Sequence, residues 1–571
     1  MPLAFQPPET GKAGLASHSR SGRIELFYRP RRPEETVLHQ TVREHVETFL
    51  ARARDEERPV PRFVEREFRT FLDCGILAHG FVRVHCDDCG HDRLVAFSCK
   101  GRGFCPSCGA RRMADTAARL VEAVLPRVPL RQWVLTLPFS LRYRLAFDAG
   151  LTQAVLSIFV RALFASVRRR ARTRRPLQSP QCGAVTFIQR FGDALNLNVH
   201  FHTLALDGVF EEDPRCRAKF RALPPPDTGE VERVARRVAH GVKRLLIRRG
   251  LGPDADPSLA DPLAADDPLL AALYGASVHS RIARGRRAGQ RVLRFGDGKD
   301  EEDDAPKPGP RCVTVNGLSV HAEVGVPARD RRRLQRLCRY TSRPPVATQR
   351  LSRLADGRLL YRLKRRWRDG TTHVVFGPLE FLEKLAALVP PPRMHQVRYH
   401  GILGPAAGDR RFVVPAAENP HPGRTSPPVG ASTQGNSAGP CPSASRKKSP
   451  ARTAASHQVL HPGHTVPAFS SGPDSFSSDM QGERPGGSAG QESPTKRLSW
   501  AELIRRVFAV DVLECPRCGG RMRILAAIQT PEGIKAILDH LGLPSRAPPL
   551  MPARGTTEKS TPEVLPEQPA G

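Results

Sequence analysis

Aromatic residues, lysines and long apolar runs are scarce in this sequence. Phe, Trp and Tyr make 6% of the 571 residues, with six tyrosines and three tryptophans. No apolar run reaches the roughly 18 residues that a membrane-spanning helix needs. The residues that follow Met1 are too polar for the core of a signal peptide. We therefore expect neither a membrane protein nor a secreted one, but a cytoplasmic protein.

Acidic residues are outnumbered by basic ones. The chain has 57 Asp and Glu against 89 Lys and Arg, of which only 13 are lysine, and its net charge is +32. Clustered basic side chains gain free energy when they release counterions condensed on a nucleic acid. The charge therefore predicts a nucleic-acid partner; the alternative is a basic surface that is merely solvated.

Proline and glycine are plentiful, and they mark a boundary. Residues 404–497 contain 14 Pro, 12 Gly and 14 Ser without sustained apolar periodicity. Such a segment cannot bury enough surface to offset its ordering entropy. We predict a disordered linker there, followed by a small C-terminal module at 498–546. The acidic stretch 297–310 is predicted to be a solvated loop.

Apolar periodicity predicts a mixed α and β body. Helical patterns cover residues 37–53, 113–124 and 151–170, and a strand pattern covers 131–137. Two further extended stretches, at 184–191 and 196–210, are joined by the turn sequence Gly-Asp-Ala. This arrangement is typical of a β-hairpin.

Two Cys-x-x-Cys pairs, 15 residues apart, match the template of a four-cysteine zinc ribbon. The predicted ligands of one structural Zn²⁺ are Cys86, Cys89, Cys105 and Cys108. Disulfides are rare inside cells, so metal is the preferred interpretation. Other residues nearby could join or replace a ligand: Cys74, Cys99, His85 and His91.

The second predicted hairpin strand carries the sequence His200-Phe201-His202. Successive side chains of a strand point to opposite faces, so the two imidazoles share one face. Two imidazoles on one face of a strand could hold a divalent metal ion. The alternative is two unrelated histidines on a half-exposed strand.

The segment 329–343 is rich in arginine and contains Tyr340. It has a buried stripe at helical spacing, formed by Leu334, Leu337, Cys338 and Thr341, and the two prolines that follow stop the helix. Arg333, Arg336 and Tyr340 lie on another face. A tyrosine among guanidinium groups is placed to meet a phosphate, which those groups would bind. The alternative is a tyrosine that packs near a helix end beside solvated arginines.

The predicted C-terminal module has one further pair, Cys515 and Cys518. Two thiolates cannot complete a tetrahedral site. Either the remaining ligands come from elsewhere, from His540 or a second chain for example, or the pair binds no metal. Ser499 and Glu502 have the spacing of a capping box at the start of a helix.

The chain resembles the IS91-family transposases. The resemblance is carried by the zinc segment Phe97-Ser98-Cys99-Lys100-Gly101-Arg102-Gly103-Phe104-Cys105-Pro106-Ser107-Cys108, the His200-Phe201-His202 strand, and Arg339-Tyr340 with Arg343-Pro344-Pro345, in that order. Further similar stretches are 361–378, 398–401 and 511–528. Together they cover roughly residues 35–403 and 498–546, which is nearly everything outside the linker and the tails.

The resemblance implies an α+β fold with an antiparallel-sheet HUH nuclease core. It implies an N-terminal helix and DNA-binding zinc ribbon at 35–125, the endonuclease core at 126–403, the linker at 404–497 and the small module at 498–546. Such enzymes cut single-stranded DNA at element ends and targets with Mg²⁺ or Mn²⁺, and they leave a covalent 5′-phosphotyrosine. We expect the product of a bacterial insertion sequence, associated with the nucleoid.

The resemblance also assigns roles to individual residues. His200 and His202 become ligands of the catalytic ion and Tyr340 the nucleophile. By family position Gln189 is the candidate third ligand, with Asn196 and Asn198 as weaker options. The predicted DNA-binding residues are Arg333, Arg336, Arg339 and Arg343.

One departure concerns the tyrosines. Many family members have two tyrosines four residues apart, whereas Arg336 stands four residues before Tyr340 here. The sequence therefore resembles the single-tyrosine branch, which puts in doubt any scheme with two alternating tyrosines. The basic segment around Lys364 and Trp367 is a candidate strand-binding patch, because Trp367 could stack on a base.

Two alternatives stay open at the level of sequence. A plasmid rolling-circle replication initiator would use the same chemistry. A zinc-dependent DNA-binding regulator without catalysis would explain the cysteines and the charge, but not the histidine strand or the tyrosine among arginines.

Overall fold

The structure is a computed structural model that describes residues 31–173, 177, 179–212, 218–252, 261–296, 309–414, 499–508 and 511–554. From residue 415 onward the predicted linker lies outside the described residues, and so does the predicted acidic loop up to residue 308. The first residues assigned to the linker include a short 3-10 helix at Gly408–Phe412. The described residues before 415 and after 498 belong to one compact unit.

The N-terminal region combines helices with a β-hairpin. Its elements are α1 (Val37–Asp55), α2 (Arg62–Leu72), β1 (Phe81–Cys86), β2 (Asp92–Ala96) and α3 (Pro106–Ala123). Thr36 caps α1, because its hydroxyl accepts a hydrogen bond from the His39 N–H at 3.2 Å. The predicted helix at 113–124 is confirmed, but it begins seven residues earlier at Pro106, a residue favoured in the first helical turn.

The central region alternates helices and strands. Its strands are β3 (Leu130–Thr136), β4 (Gly183–Phe191), β5 (Leu197–Leu206), β6 (Gly208–Glu212), β7 (Ala218–Ala222), β8 (Leu293–Gly296), β9 (Cys312–Val315), β10 (Leu318–His321), β11 (Gly325–Val326), β12 (Leu351–Arg353), β13 (Leu359–Arg362), β14 (Thr371–Phe376) and β15 (Val397–Gly401). Its helices are α4 (Phe139–Phe147), α5 (Ala149–Arg172), α6 (Thr228–Arg248), α7 (Pro262–Asp266), α8 (Pro268–Val278), α9 (Arg331–Thr341) and α10 (Pro378–Leu388). The C-terminal segment adds α11 (Trp500–Phe508), β16 (Met522–Ile528) and α12 (Pro531–His540).

The largest sheet is antiparallel, in the order β15-β4-β5-β3-β10-β9, with β11 also paired to β3. The predicted hairpin is confirmed as β4 and β5, whose register places Gln189 opposite His200 and Phe187 opposite His202. The second strand ends at Leu206 and not at 210, because β6 begins at Gly208 and pairs with β7 in another sheet. On the other side of β5, Thr136 lies opposite His200. The two histidines therefore lie on a strand that has partners on both sides.

The two faces of this sheet belong to different cores, as strand alternation requires. Val199 and Phe201 of β5 pack in a core that includes side chains of α5, α6, α8 and α10. Leu204 and Leu206 pack on the opposite face with Leu334 and Cys338 of α9 and with side chains of α3. The histidine face is therefore covered by α3 and α9, which leaves α9 beside His200 and His202.

Helix α5 is long and apolar enough to cross a membrane by length and composition alone. Of its apolar stretch, 61% is buried inside the protein, and Leu151, Val155 and Phe159 are fully buried. Its position in the main core accounts for its apolar composition.

The C-terminal segment completes a small sheet in the N-terminal region. Strand β16 pairs antiparallel with β1 in a three-stranded sheet of order β16-β1-β2, with Cys86 opposite Met522. Helix α11 lies against α3, where Arg506 donates to the Glu122 carboxylate at 2.6 Å. The N–H of Glu502 points to the Ser499 hydroxyl at 3.3 Å, as the predicted cap requires. Two smaller sheets, β12-β13-β14-β8 and β6-β7, complete the described strands.

Candidate active site and metal centres

The two histidines of β5 converge on one point. The Nε2 atoms of His200 and His202 lie 3.0 Å apart. Neighbouring ligands of an octahedral ion, each 2.0–2.1 Å from it, are about 3 Å apart. The pair therefore has the spacing of two adjacent ligands of one divalent ion.

The opposite nitrogen of each imidazole has its own partner. His200 Nδ1 lies 2.8 Å from the carbonyl oxygen of Asn198. Since a carbonyl only accepts, Nδ1 is the protonated nitrogen and Nε2 keeps its lone pair. His202 Nδ1 lies 2.8 Å from the side-chain amide of Gln132 on β3. Sequence reasoning missed this contact of Gln132, because no local pattern shows which residue of a neighbouring strand lies beside a histidine.

Both imidazoles are neutral near pH 7. Burial lowers the pKa of His200 to about 4. Burial also lowers the pKa of His202 well below its ordinary value, and the neighbouring His200 lowers it further. Neutral imidazole is the form that binds a metal ion, so both histidines have the protonation state that a metal ligand requires.

Tyr340 lies at the end of α9, beside the histidines. Its ring centroid is 6.1 Å from that of His202, and its side chain is 39% exposed. The helix is fixed by the predicted stripe, of which Leu334, Cys338 and Thr341 are fully buried. The stripe prediction is confirmed, with Leu337 partly buried at its edge.

Two cations lie over the ring of Tyr340. The Arg343 guanidinium carbon is 4.6 Å and the Lys364 ammonium nitrogen 4.4 Å from the ring centroid. Arg343 also pairs with Asp193 at 3.5 Å. Burial lowers the pKa of Lys364. A phosphate next to the tyrosine hydroxyl would meet both positive charges.

Gln189 connects the hairpin to the tyrosine helix. Its Nε2 donates to the carbonyl of Thr341 at 2.7 Å. The amide therefore holds the end of α9, and only its Oε1 remains as a ligand atom. Asn198, two residues before His200, has a buried Oδ1 without a hydrogen-bond partner among the described residues. A buried acceptor without a partner is costly, and a metal ion would satisfy it.

The four predicted DNA-binding arginines have different surroundings. Arg333 and Arg336 are exposed on α9, and Arg343 lies over Tyr340. Arg339 instead donates from Nη2 to the carbonyl of Arg506 on α11 at 3.0 Å. Arg339 therefore joins α9 to the C-terminal segment.

The cysteines form two clusters, and their membership corrects the predicted ligand set. One cluster is Cys74, Cys99, Cys105 and Cys108; the other is Cys86, Cys89, Cys515 and Cys518. The predicted set of Cys86, Cys89, Cys105 and Cys108 is therefore divided between two sites. Cys86 and Cys89 lie in the β1–β2 hairpin, next to the segment that contains β16. Cys105 and Cys108 lie at the start of α3, next to Cys74 at the end of α2. Neither His85 nor His91 belongs to a cluster within the described part of the chain.

Both clusters have the geometry of a tetrahedral zinc site. In the first, the Sγ separations are 3.7 Å for Cys74–Cys108, 3.4 Å for Cys99–Cys108 and 3.6 Å for Cys74–Cys105. Four sulfurs at 2.3 Å from Zn²⁺ are about 3.8 Å apart, whereas a disulfide requires about 2.05 Å. These clusters support structural zinc.

Comparison with protein families places these features in a known group. Residues 41–137 match the transposase zinc-binding domain of the IS91 type, and residues 183–410 match the Y2_Tnp family of transposases. The first match contains one complete cysteine cluster, and the second contains His200, His202 and Tyr340. No curated protein and no solved structure matches the chain. The chain belongs to the IS91 family of transposases, which act on DNA.

Proposed function

We propose that the protein nicks and rejoins single-stranded DNA through a covalent bond between Tyr340 and a 5′ phosphate, in rolling-circle-like transposition. The observation that carries this proposal is the 6.1 Å separation between the rings of Tyr340 and His202. A nucleophile and a pair of metal ligands at that distance can act on the same phosphate.

The chemistry conserves the energy of the DNA backbone. The Tyr340 hydroxyl oxygen attacks phosphorus, and the bond from phosphorus to the 3′ oxygen breaks. The proton that tyrosine loses balances the one that the 3′ oxygen gains, which leaves a phosphotyrosine and a free 3′-OH. Attack by a 3′-OH on the phosphotyrosine reverses the step and rejoins a strand without ATP.

The residues at the site fit a divalent cation. Bound Mg²⁺ or Mn²⁺ would polarise the scissile phosphate as a Lewis acid. His200 and His202 would provide two Nε2 atoms, which lie 3.0 Å apart. We assign the third protein ligand to Asn198, because its Oδ1 is buried without a partner. The prediction that Gln189 is the third ligand is tested by the same measurements.

Basic side chains would position the DNA strand. Arg343 and Lys364 lie over Tyr340, where they would bind the oxygens of the attacked phosphate. Arg333 and Arg336, which are exposed on the same helix, would contact the neighbouring phosphates. Gln189 keeps the end of α9 against β4, so that Tyr340 remains beside the histidines.

The test is a covalent adduct assay. The purified protein is mixed with single-stranded oligonucleotides that carry the ends of its own element, in Mg²⁺ or Mn²⁺, and the adduct is mapped by peptide mass. We expect the adduct on Tyr340, and its loss in Tyr340→Phe and His200→Ala. Tyr399→Phe, on the edge strand β15, is the matched control and should retain the adduct.

Three results would contradict the proposal. An adduct that persists in Tyr340→Phe would place the nucleophile elsewhere. Cleavage of duplex DNA in preference to single-stranded DNA would show that the substrate is duplex DNA. Sequence-specific binding without any adduct would favour the non-catalytic regulator.

A further inference from the structure

Four cysteines from opposite ends of the chain meet at one point. Cys86 Sγ lies 3.5 Å from Cys518 Sγ, and Cys89 Sγ lies 3.5 Å from Cys515 Sγ. These separations are too long for disulfides and close to those of four sulfurs around one tetrahedral ion. Of these four cysteines, only Cys86 and Cys89 lie within the family match to the zinc-binding domain.

The two halves of this cluster have the same backbone geometry. The N–H of Gly90 donates to the Cys86 carbonyl at 2.9 Å, and the N–H of Gly519 donates to the Cys515 carbonyl at 2.9 Å. These glycines have φ of +70° and +72°, which side-chain-bearing residues rarely adopt. The N–H of each first cysteine also donates to a carbonyl five residues later, at 2.9 Å in both halves. Two matching turns that each present two sulfurs to a shared point form a built metal site.

We propose that Cys86, Cys89, Cys515 and Cys518 bind a second structural zinc ion, which fastens the C-terminal segment to the N-terminal hairpin and thereby supports the helix of Tyr340. The ion joins two parts of the chain that the sequence separates by more than 400 residues. This assignment does not depend on the proposed DNA chemistry.

Apolar packing alone provides little attachment for the C-terminal segment. Strand β16 is buried at Met522, partly buried at Ile528 and exposed at the five residues between them. Two small apolar clusters attach the segment: one includes Val84, Ile504 and Val512, and in the other Ile534 and Leu538 of α12 pack on Phe81 and Leu94. Small structural units with so little core usually need a metal or disulfides for stability. The zinc ion therefore adds stability that the small apolar area of this interface does not provide.

The C-terminal segment in turn contacts the tyrosine helix. Arg339, the residue before Tyr340, donates to the Arg506 carbonyl of α11 at 3.0 Å. Arg506 itself donates to Glu122 on α3 at 2.6 Å. Release of the C-terminal segment would remove α11 from these contacts and leave the end of α9 with less support.

The first experiment counts zinc. We expect two zinc ions per chain in the purified protein and one in the double variant Cys515→Ser/Cys518→Ser. Cys312→Ser, a half-buried cysteine outside both clusters, is the matched control and should retain two. A single zinc ion in the parent protein, or two in the double variant, would overturn the assignment.

The second experiment tests attachment. A specific protease site is inserted between residues 415 and 498, the protein is cleaved, and the fragments are separated by gel filtration with mass measured by light scattering. We expect the C-terminal fragment to stay with the larger one in a complex of monomer mass, and to separate after a zinc chelator or in the double variant. A fragment that stays bound without zinc would overturn the proposal, and so would a complex of dimer mass, which would show exchange between chains.

The third experiment tests support of the tyrosine helix without measuring activity. Amide hydrogen exchange is compared between the parent protein, the double variant and Cys312→Ser. We expect faster exchange at residues 331–341 in the double variant, with unchanged exchange in the buried strand β4 as evidence that the core still folds. Unchanged exchange in 331–341 would exclude the coupling to Tyr340.

Discussion

The side-chain amide of Gln132 lies 2.8 Å from Nδ1 of His202, and this contact decides which nitrogen of the imidazole faces His200. The atom in contact is the amide nitrogen of Gln132; a metal ligand needs its Nε2 lone pair free, so in a metal-bound state the amide would be turned, with its oxygen accepting a hydrogen bond from Nδ1. In the proposed metal site, Gln132 would therefore orient His202 without binding the ion itself.

Replacement of Gln132 should weaken metal binding more than the chemical step. In Gln132→Leu we expect the Mn²⁺ concentration for half-maximal nicking to rise by about 10- to 100-fold, because His202 loses its orienting partner. Nicking at saturating Mn²⁺ should fall much less. Gln132→Glu retains an acceptor and should recover most of the affinity; if it is as defective as the leucine variant, the orienting role is wrong.

Replacement of Asn198 should also change the metal requirement. Asn198→Ala removes the buried Oδ1, so the concentration of Mg²⁺ for half-maximal nicking should rise. Asn198→Asp keeps an oxygen and adds a negative charge, so it should restore or tighten binding. An unchanged metal requirement in the alanine variant would remove Asn198 from the ligand set.

Gln189 should act mainly through the tyrosine helix. Gln189→Leu removes the hydrogen bond to the Thr341 carbonyl, so the single-turnover rate of adduct formation should fall at saturating metal. The metal requirement should stay within about twofold, since a lost ligand would shift it by more. A large rise in that requirement would instead support Gln189 as the third ligand.

Lys364, one of the two cations over the Tyr340 ring, should increase the rate at which Tyr340 attacks the phosphate. Lys364→Ala should slow single-turnover adduct formation by about 100- to 1,000-fold, the range expected when one charge-stabilising donor is lost from a transition state. Lys364→Arg should recover part of the rate, because it restores the charge. Lys535→Ala removes an exposed lysine that pairs with Asp539 and should leave the rate unchanged. Equal rates in both alanine variants would exclude a role for Lys364.

A buried acid should make stability depend on pH. Glu383 on α10 accepts a hydrogen bond from the Ala283 N–H at 2.9 Å, and burial raises its pKa to about 7 from 4.5. A pKa that folding raises gives stability that is present below the unfolded value and is lost as pH rises through the folded value. Between pH 4.5 and 7, the free energy of unfolding should therefore fall as the pH rises.

Glu383→Gln isolates this effect. It cannot ionise, so the fall in stability from pH 5 to pH 7.5 should be smaller in the variant than in the parent, measured by urea unfolding. Glu380→Gln, an acid on the same helix that pairs with Arg287 at 3.0 Å, is the control. If both variants follow the pH profile of the parent protein, Glu383 does not titrate in this range.

Local patterns in the sequence predicted the elements that carry the candidate site. Strand alternation placed His200 and His202 on one face, the turn residues predicted the hairpin, and helical spacing predicted the stripe behind Tyr340. Each of these patterns extends over a few residues, where backbone geometry alone decides which side chains share a face. The boundaries were less exact, as the early start of α3 at Pro106 shows.

The sequence by itself therefore determined the type of the local structures that carry the candidate site and the presence of Cys-x-x-Cys pairs at 86–89, 105–108 and 515–518. Only the tertiary structure decided which cysteine pairs lie together. A Cys-x-x-Cys spacing fixes two ligands of a tetrahedral site but carries no information about the other two. Their identity depends on the pairing of β16 with β1, a contact between residues far apart in the chain, and the same dependence on distant strands concealed the contact of Gln132 with His202.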